Sequence, residues 1–262
     1  MAFHSFAPAP TDIRFRAGPV APPIAADGPV VRIAAEEGAH GVAVLSGAVR
    51  EIGVHLAAGS SVQIAVAWDG AGAEARATLA AGAHLHWHVV QLSGGTTEIV
   101  SVLQGDDARC DIDAVVVAGE GGAPALAVTN EYRGKRGAGD MAMRVIGTGA
   151  SRSRCHGMIR IAEGGGGTDT YLAQRVLLLG AAATVDAVPA LEIRTNDVKA
   201  SHGATVTRLS PLDLFAFGAR GIAPDEARRL FVDGWLHAGV ACAPDAQWRE
   251  DVLALAHAAL RA

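Results

Sequence analysis

Glycine recurs at a fixed interval in this 262-residue chain. Gly59, Gly82 and Gly105 are separated by 23 residues each, and Gly180 and Gly203 are also 23 residues apart. A fixed period of this length is typical of a solenoid, in which every coil stacks on the one before it. Glycine suits the corners of such coils, where the backbone takes a positive φ or closely approaches a neighbouring coil.

Side-chain alternation around the first three glycines indicates that the coils are built from strands. Apolar residues at alternate positions predict three stacked inward-facing sets: Val62, Ile64 and Val66, then Leu85, Trp87 and Val89, then Ala108, Cys110 and Ile112. Because the chain contains 32 glycines, equal gaps alone could arise by chance. The accompanying alternation favours a mainly β fold, a parallel β-helix.

Changes in pattern along the chain predict three regions. Residues 1–29 are rich in proline and show no sustained period, so we expect an N-terminal arm that drapes over the fold and is partly disordered. Residues 30–209 show the strand pattern of the β-helix. Residues 210–262 carry helix start signals at Ser210-Pro211, Pro224 and Pro244, which predict a small helical region that caps or extends the β-stack.

Charge and composition exclude several classes of function. The net charge is −5 and the pI about 6.0, so a nucleic-acid partner is not expected. The N-terminus lacks the pattern of a secretory signal, and no apolar run is long enough to predict a membrane span. The three scattered cysteines predict no disulfide framework and fit the reducing cytoplasm.

A histidine-rich strand is the first candidate site. His84, His86 and His88 alternate in one strand and therefore share a face, and three imidazoles on one face are a possible zinc or copper site. The 23-residue register directs Trp87 inward and the histidines outward. On that register they form a surface ladder beside the residues 23 positions later, which are Asp107, Arg109 and Asp111.

A second candidate site lies where the strand pattern ends. Its centre is Ser201-His202-Gly203-Ala204-Thr205, and flanking segments in a characteristic order are Leu191-Glu192-Ile193, Asp197-Val198-Lys199, Leu214-Phe215, Ala219-Arg220-Gly221-Ile222 and Glu226-Ala227-Arg228-Arg229-Leu230. This ordered set resembles the SufB/SufD family of iron–sulfur cluster assembly subunits. The upstream segment from Ala173 to Gly180 is similar to that family too. The specific resemblance covers about residues 145–240.

The resemblance implies a right-handed parallel β-helix followed by a helical region, in a scaffold subunit that is not an enzyme on its own. It also implies pairing with a SufB-like subunit, or in a homodimer, and docking of a SufC-type ATPase. We expect no stably bound cofactor, only a transient iron–sulfur cluster formed in the complex. The implied cluster and interface residues are Ser201, His202, Gly203 and Thr205. The implied ATPase contacts are Leu214, Phe215, Arg220, Ile222, Glu226 and Arg229.

Two positions favour the SufD-like branch. SufB-like chains carry a cluster-associated cysteine where this chain has Arg175, and a glutamate directly after the motif histidine, where this chain has Gly203. A thiolate is a natural soft ligand for iron, and arginine cannot replace it. The alternative left open is a metal-binding β-solenoid or cupin-like enzyme that uses His84, His86 and His88.

Overall fold

The computed structural model describes residues 10–19, 22–70 and 72–261. The described residues form sixteen strands and three helices. The strands are β1 (Thr11–Phe15), β2 (Ile24–Ala26), β3 (Val30–Ala35), β4 (His40–Leu45), β5 (Glu51–Leu56), β6 (Ser61–Asp69), β7 (Ala73–Leu79), β8 (His84–Leu92), β9 (Thr96–Leu103), β10 (Arg109–Ala118), β11 (Ala125–Tyr132), β12 (Ala138–Gly147), β13 (Arg152–Ile161), β14 (Thr168–Leu178), β15 (Thr184–Ile193) and β16 (Val198–Arg208).

The strands stack into two parallel sheets. Sheet 1 contains the eight odd-numbered strands from β1 to β15, and sheet 2 contains the eight even-numbered strands from β2 to β16. Each coil therefore gives one strand to each sheet and pairs with the coil before and after it. This topology is a parallel β-helix, which confirms the predicted mainly β solenoid.

The interior is filled by side chains that stack from coil to coil. In sheet 2, Ile64 pairs with Trp87 and Trp87 with Ile112, and all three are fully buried. Trp87 donates from Nε1 to Ser101 Oγ of sheet 1 over 3.1 Å. Parallel strands in register place equivalent side chains on the same face, so each inner side chain contacts its counterparts above and below.

The coil length is not constant, which corrects the predicted register. Ser61 pairs with His84, 23 residues later, but His84 pairs with Arg109, 25 residues later, and Arg109 with Ala138, 29 residues later. Leu85 consequently stacks on Cys110 rather than on Ala108. A shift of two residues preserves the face of every side chain, because the period of a strand is two. The inward direction was therefore predicted correctly.

The corner positions explain the shift. Gly59 and Gly82 have φ values of 64° and 63°, and the residue at the same corner of the following coil is Asp107, with φ 58°. The backbone N–H of each of these three corner residues donates to a carbonyl at the same corner of the next coil. Gly59 donates to Ala81, Gly82 to Asp106, and Asp107 to Lys135. Aspartate tolerates the left-handed region better than most residues, so this corner does not need glycine.

Two other glycines of the predicted repeat have different roles. Gly105 lies where its coil touches the one below, and an added Cβ would overlap the backbone of Ala80 and Ala81. Gly203 lies inside β16 rather than at a corner, so its 23-residue distance from Gly180 does not mark a coil.

The solenoid begins earlier than the sequence pattern indicates. β1 and β2 lie within residues 1–29, and β1 pairs in register with β3 from Thr11 to Phe15. The structure thus places most of the described residues of the expected proline-rich arm in a first coil, while residues 1–9 and 20–21 lie outside the described residues. Strands of three and five residues between prolines are too short to give a visible period.

The helices are α1 (Pro211–Gly218), α2 (Pro224–Val240) and α3 (Ala246–Arg261), close to the predicted starts. Helices α2 and α3 do not cap the end of the stack: they pack on the outer face of sheet 2. Val232, Leu236 and Val252 form one buried cluster there with outward-facing strand residues such as Val90 and Val115. This explains why the later parts of β8 and β10 are apolar on both faces.

The contact between coils at Gly105 gives a test of the stacking. We expect Gly105→Ala to lower the free energy of unfolding by about 2–4 kcal/mol, because the new methyl group displaces the backbone of the coil below. Urea denaturation followed by circular dichroism measures the change. Gly94→Ala is the matched control, since an added Cβ at Gly94 meets no atom within 4 Å. Equal stability of the two variants would contradict the close packing at this corner.

Candidate functional site

The solenoid is open at its C-terminal end. β15 and β16 are the last strands of sheet 1 and sheet 2, so each has one unpaired edge. Most of their residues are exposed or half-buried, in contrast to the alternately buried residues of the preceding strands. The final coil therefore presents backbone hydrogen-bonding groups and inner-face side chains that no further coil covers.

His202 lies on the inner face of this final coil. It pairs in register with Leu172, which is fully buried in the core, so the two side chains share the inner face. His202 itself is exposed because no coil lies above it. Ser201, Gly203 and Thr205 alternate with it and belong to the outer face. The motif is therefore divided between the two faces of β16.

The surroundings of His202 on the inner face are mainly apolar. Val198 and Ala200 of β16, together with Val185, Ala187 and Leu191 of β15, are partly buried against the core below. Val206 continues the same face of β16 and is 63% exposed. The end of the solenoid is thus an apolar surface that includes one imidazole.

Helix α1 presents a second exposed apolar surface. Leu212 and Phe215 are 74% and 71% exposed, and no described residue of α1 is fully buried. Ser210 caps the helix by accepting from the Asp213 amide, while Asp213 accepts from the Ser210 amide over 2.8 Å. The cap fixes the helix start without tertiary burial. Of the implied ATPase contacts, Leu214 and Ile222 are half-buried, whereas Phe215, Arg220, Glu226 and Arg229 are exposed.

The histidine strand forms a ladder with aspartates, as expected, but with different partners. The observed register places His84, His86 and His88 beside Arg109, Asp111 and Asp113, not beside Asp107, Arg109 and Asp111. The hydrogen bonds run diagonally, from His84 Nε2 to Asp111 Oδ2 over 2.8 Å and from His86 Nε2 to Asp113 Oδ2 over 3.0 Å.

Asp111 is the most strongly stabilised carboxylate of the ladder. Burial by itself would raise its pKa, but hydrogen bonds from His84 and from both Nε and Nη2 of Arg109 outweigh burial and hold the pKa well below its ordinary value. Asp111 also accepts from the amide of Asp140 over 3.0 Å. His84 therefore belongs to a surface hydrogen-bond network with Asp111 and Arg109.

His88 differs from the other two histidines because it is buried, with 1% exposure. It precedes Val90 on the outer face of β8, where the helices cover the sheet, so its predicted solvent exposure was wrong. Desolvation and the nearby His86 lower its pKa to about 4, although Asp113 opposes the shift. Its Nε2 lies 3.1 Å from Gln63 Oε1, and its Nδ1 is buried without a hydrogen-bond partner among the described residues.

The cysteines do not offer a ready thiolate in the core. Cys110 and Cys155 are free and buried, and desolvation raises the pKa of each thiol to about 12. Cys155 lies on the inner face of β13, while His156 points the other way and lies 3.2 Å from Asp186 through Nε2 and Oδ2. Cys242 is free and exposed.

Sequence reasoning missed the part that Asp113 and Gln63 play in the histidine cluster. Both belong to neighbouring coils: Gln63 lies beside His86 at the predicted 23-residue spacing, whereas Asp113 comes beside His88 only in the observed register. The alternation Asp111-Ile112-Asp113 was a visible signal, but equal coil lengths placed it two residues away. Tyr171 was also missed; it lies against Gly203, where an added Cβ would be 2.7 Å from the Tyr171 hydroxyl oxygen.

These features define a class: a parallel β-helix with an uncovered final coil and a helical tail folded on one sheet, a scaffold of exposed surfaces. A family model described as the SufBD core domain of the SUF iron–sulfur cluster assembly system matches residues 30–235. The chain therefore belongs to the SufBD core domain family.

Curated relatives are consistent with this membership. The chain is 36% identical over 89 residues to the iron–sulfur cluster assembly protein SufD of Escherichia coli, covering 34% of this chain and 21% of that protein. It is 30% identical over 154 residues to SufD of Bacillus subtilis, covering 58% of this chain and 35% of that protein. It is also 26% identical over 134 residues to an iron–sulfur cluster assembly SufBD family protein of Mycobacterium leprae, covering 51% and 15%.

The chain thus spans about a third or less of the length of these relatives. Among the residues that the structure describes, no helix combines the length and the apolar character that crossing a bilayer requires.

Thiol accessibility tests the burial of the cysteines. With a chromogenic aromatic disulfide at mildly alkaline pH, we expect the folded protein to react rapidly at Cys242 alone, because burial disfavours the thiolates of Cys110 and Cys155. All three thiols should react after denaturation. Cys242→Ser should abolish the rapid reaction, and a rapid second equivalent in that variant would contradict the buried placement.

Proposed function

We propose that this chain is a SufD-like scaffold subunit for iron–sulfur cluster assembly, acting in the cytoplasm and without catalytic activity of its own. The observation that carries the proposal is the open final coil, in which His202 lies on an apolar, uncovered inner face. The link to iron–sulfur cluster assembly comes from the family, and the two SufD proteins among the relatives favour the SufD-like branch.

The open end is suited to pairing with another solenoid. β15 and β16 both have an unpaired edge, and exposed edges favour strand addition by a partner. Val206, Val188 and Ile193 are large apolar residues that remain exposed on these strands. Burying them provides the hydrophobic contribution that a stable interface needs. A SufB-like subunit is the proposed partner, and a second copy of this chain would use the same surface.

Pairing at this end would place His202 at the subunit boundary. A neutral imidazole is a good ligand for iron, and an exposed ligand on one subunit suits a cluster that forms and then leaves. This chain does not supply a thiolate from its core, because Cys110 and Cys155 are buried and protonated. Arg175 stands where SufB-like chains carry a cysteine. The partner would therefore provide the sulfur ligand. No cofactor is proposed to remain bound to this chain alone.

Helix α1 is the proposed docking element for a SufC-type ATPase. Its residues Leu212 and Phe215 are exposed and apolar, and α2, which contacts α1, exposes Leu230 at 46%. Arg220, Glu226 and Arg229 are exposed charged residues of the same region of the chain. An apolar centre with a charged rim is the usual composition of a protein interface.

Gly203 further supports the SufD-like branch. It follows the motif histidine, where a glutamate is expected in SufB-like chains, and Tyr171 occupies the space that a side chain there would need. The closest atom is the hydroxyl at the end of the Tyr171 side chain, which is 43% exposed, so a glutamate at this position would require that hydroxyl to shift.

The alternative of a cupin-like enzyme using His84, His86 and His88 loses support from the geometry. Cupins are antiparallel jelly rolls, whereas both sheets here are parallel stacks. The three histidines also do not converge, because His84 bonds Asp111 and its ring centroid is 6.5 Å from that of His86.

The role of His202 can be tested in a reconstituted complex with a SufB-like subunit, a SufC-type ATPase and a sulfur donor. We expect His202→Ala to reduce cluster formation by about tenfold or more, because a ligand at the boundary is lost. Visible absorption of the cluster measures the yield. Thermal unfolding should be unchanged within about 0.5 kcal/mol, since the side chain is exposed.

His55→Ala is the matched control, because His55 is an exposed histidine of β5, far along the solenoid from the open end. It should leave the cluster yield unchanged. If His202→Ala formed clusters as efficiently as His55→Ala, His202 would have no part in the mechanism.

ATPase docking can be tested by charge introduction on α1. We expect Phe215→Asp to weaken association with the ATPase by about 30-fold, because an exposed aromatic anchor at an interface is worth about 2 kcal/mol or more. Co-sedimentation or calorimetry measures the affinity. Leu255→Asp changes an equally apolar, exposed residue on α3 and should have little effect. Equal affinities for both variants would exclude α1 as the docking element.

A further inference from the structure

A compact group of metal-ligand side chains lies on the outer face of sheet 2, four coils before the coil that contains His202. His86, His88 and Asp113 each offer a ligand atom, and these atoms lie within 4.8 Å of one another. The two imidazole rings are close, with centroids 4.0 Å apart. His84 does not belong to the group, since it is held by Asp111.

His88 is prepared as a ligand by its surroundings. Its Nε2–H donates to Gln63 Oε1 over 3.1 Å, which leaves Nδ1 as an unprotonated acceptor. This Nδ1 is buried without a partner among the described residues, and an unsatisfied buried acceptor costs free energy. Metal-bound histidines usually donate their other ring N–H to an outer acceptor, as His88 does to Gln63.

The charge of the cluster also suits a metal ion. Asp113 supplies negative charge, and its Oδ2 lies 3.0 Å from His86 Nε2. Its other oxygen, Oδ1, lies 4.0 Å from Arg144 Nη1, which offsets part of that charge but leaves Oδ2 free to change partners.

An ion would have an entry route from solvent. The side chains of His86 and Asp113 are 19% and 20% exposed, so the outer side of the cluster is open to solvent while His88 forms its inner wall. The rung that contains His88 and Asp113 is flanked by the small residues Ala65 and Ala142 in the adjacent coils.

We propose that His86, His88 and Asp113 form a binding site for a divalent first-row transition metal ion of the Zn²⁺ or Fe²⁺ type. Two imidazoles and one carboxylate are a donor set that suits both ions and leaves positions open for water. Ligand atoms around such an ion are roughly 3.3 Å apart, given metal–ligand bonds of about 2.0 Å. Side-chain rotations that move the ligand atoms by about 1 Å would therefore bring them from their present spacing to that of a bound site.

On metal binding, His86 takes the tautomer that carries its proton on Nδ1, which frees Nε2, and the hydrogen bond from Nε2 to Asp113 is replaced by bonds from both side chains to the ion. The carboxylate contributes one negative charge against the two positive charges of the ion, so the bound site is cationic. This site is separate from the open end and does not depend on the proposed role in cluster assembly.

Metal titration of the untagged full chain tests the proposal. Zn²⁺ and, under anaerobic conditions, Fe²⁺ are titrated by calorimetry after chelator treatment, with Co²⁺ absorption as a report of nitrogen and oxygen ligation. We expect one equivalent to bind. His86→Ala and Asp113→Asn should each weaken binding by about tenfold or more. Saturating Zn²⁺ should also raise the melting temperature of the parent protein, and raise it less in these variants.

His84→Ala is the matched control, because it removes the neighbouring histidine of the same strand without touching the group. It should bind Zn²⁺ like the parent protein. His88→Gln tests the inner wall with a polar replacement, and circular dichroism verifies its fold. The proposal would be overturned if the folded parent protein bound no metal at about 100 μM, a concentration at which even a weak site is detected. Equal weakening by His84→Ala and His86→Ala would also overturn it.

Discussion

The structure depends on the in-register stacking of identical faces from one coil to the next. Parallel pairing places Ile64, Trp87 and Ile112 directly above one another, so each coil buries its inner side chains only through its neighbours. A single coil has no core of its own, and stability accumulates along the stack. Polar N–H groups inside also find partners across the narrow interior: Asn130 donates from Nδ2 to the carbonyl of Cys110, and Trp87 donates to Ser101.

The same dependence on neighbours makes the last coil and the outer faces the functional surfaces. β15 and β16 have no successor, so His202 and the apolar residues around it stay exposed although they occupy core positions of the repeat. The outer face of sheet 2 is covered where α2 and α3 pack on it, over residues such as Val90 and Val115. The described part of this member of the SufBD core domain family therefore presents apolar and polar side chains on uncovered surfaces.

Much of the fold could be predicted because period two and solenoid spacing are local signals. The inward face of β6, β8 and β10, the starts of the three helices and the β-helix itself all follow from residues close together in sequence. The register could not be predicted in the same way. Asp107 takes the left-handed corner that glycine takes at Gly59 and Gly82, so the glycine spacing stops reporting coil length after Gly82.

The sequence by itself determined that this chain forms a parallel β-helix with an imidazole near the end of the stack. Both the alternation of apolar residues and the motif around His202 are patterns of residues that are close together in the chain. Only the tertiary structure decided which residues meet across coils. A two-residue lengthening of one coil replaces Asp107 by Asp113 among the neighbours of the histidines, without changing any face. The folding of α2 and α3 onto sheet 2 likewise depends on long-range packing, and it covers outward-facing residues such as Val90 and Val115.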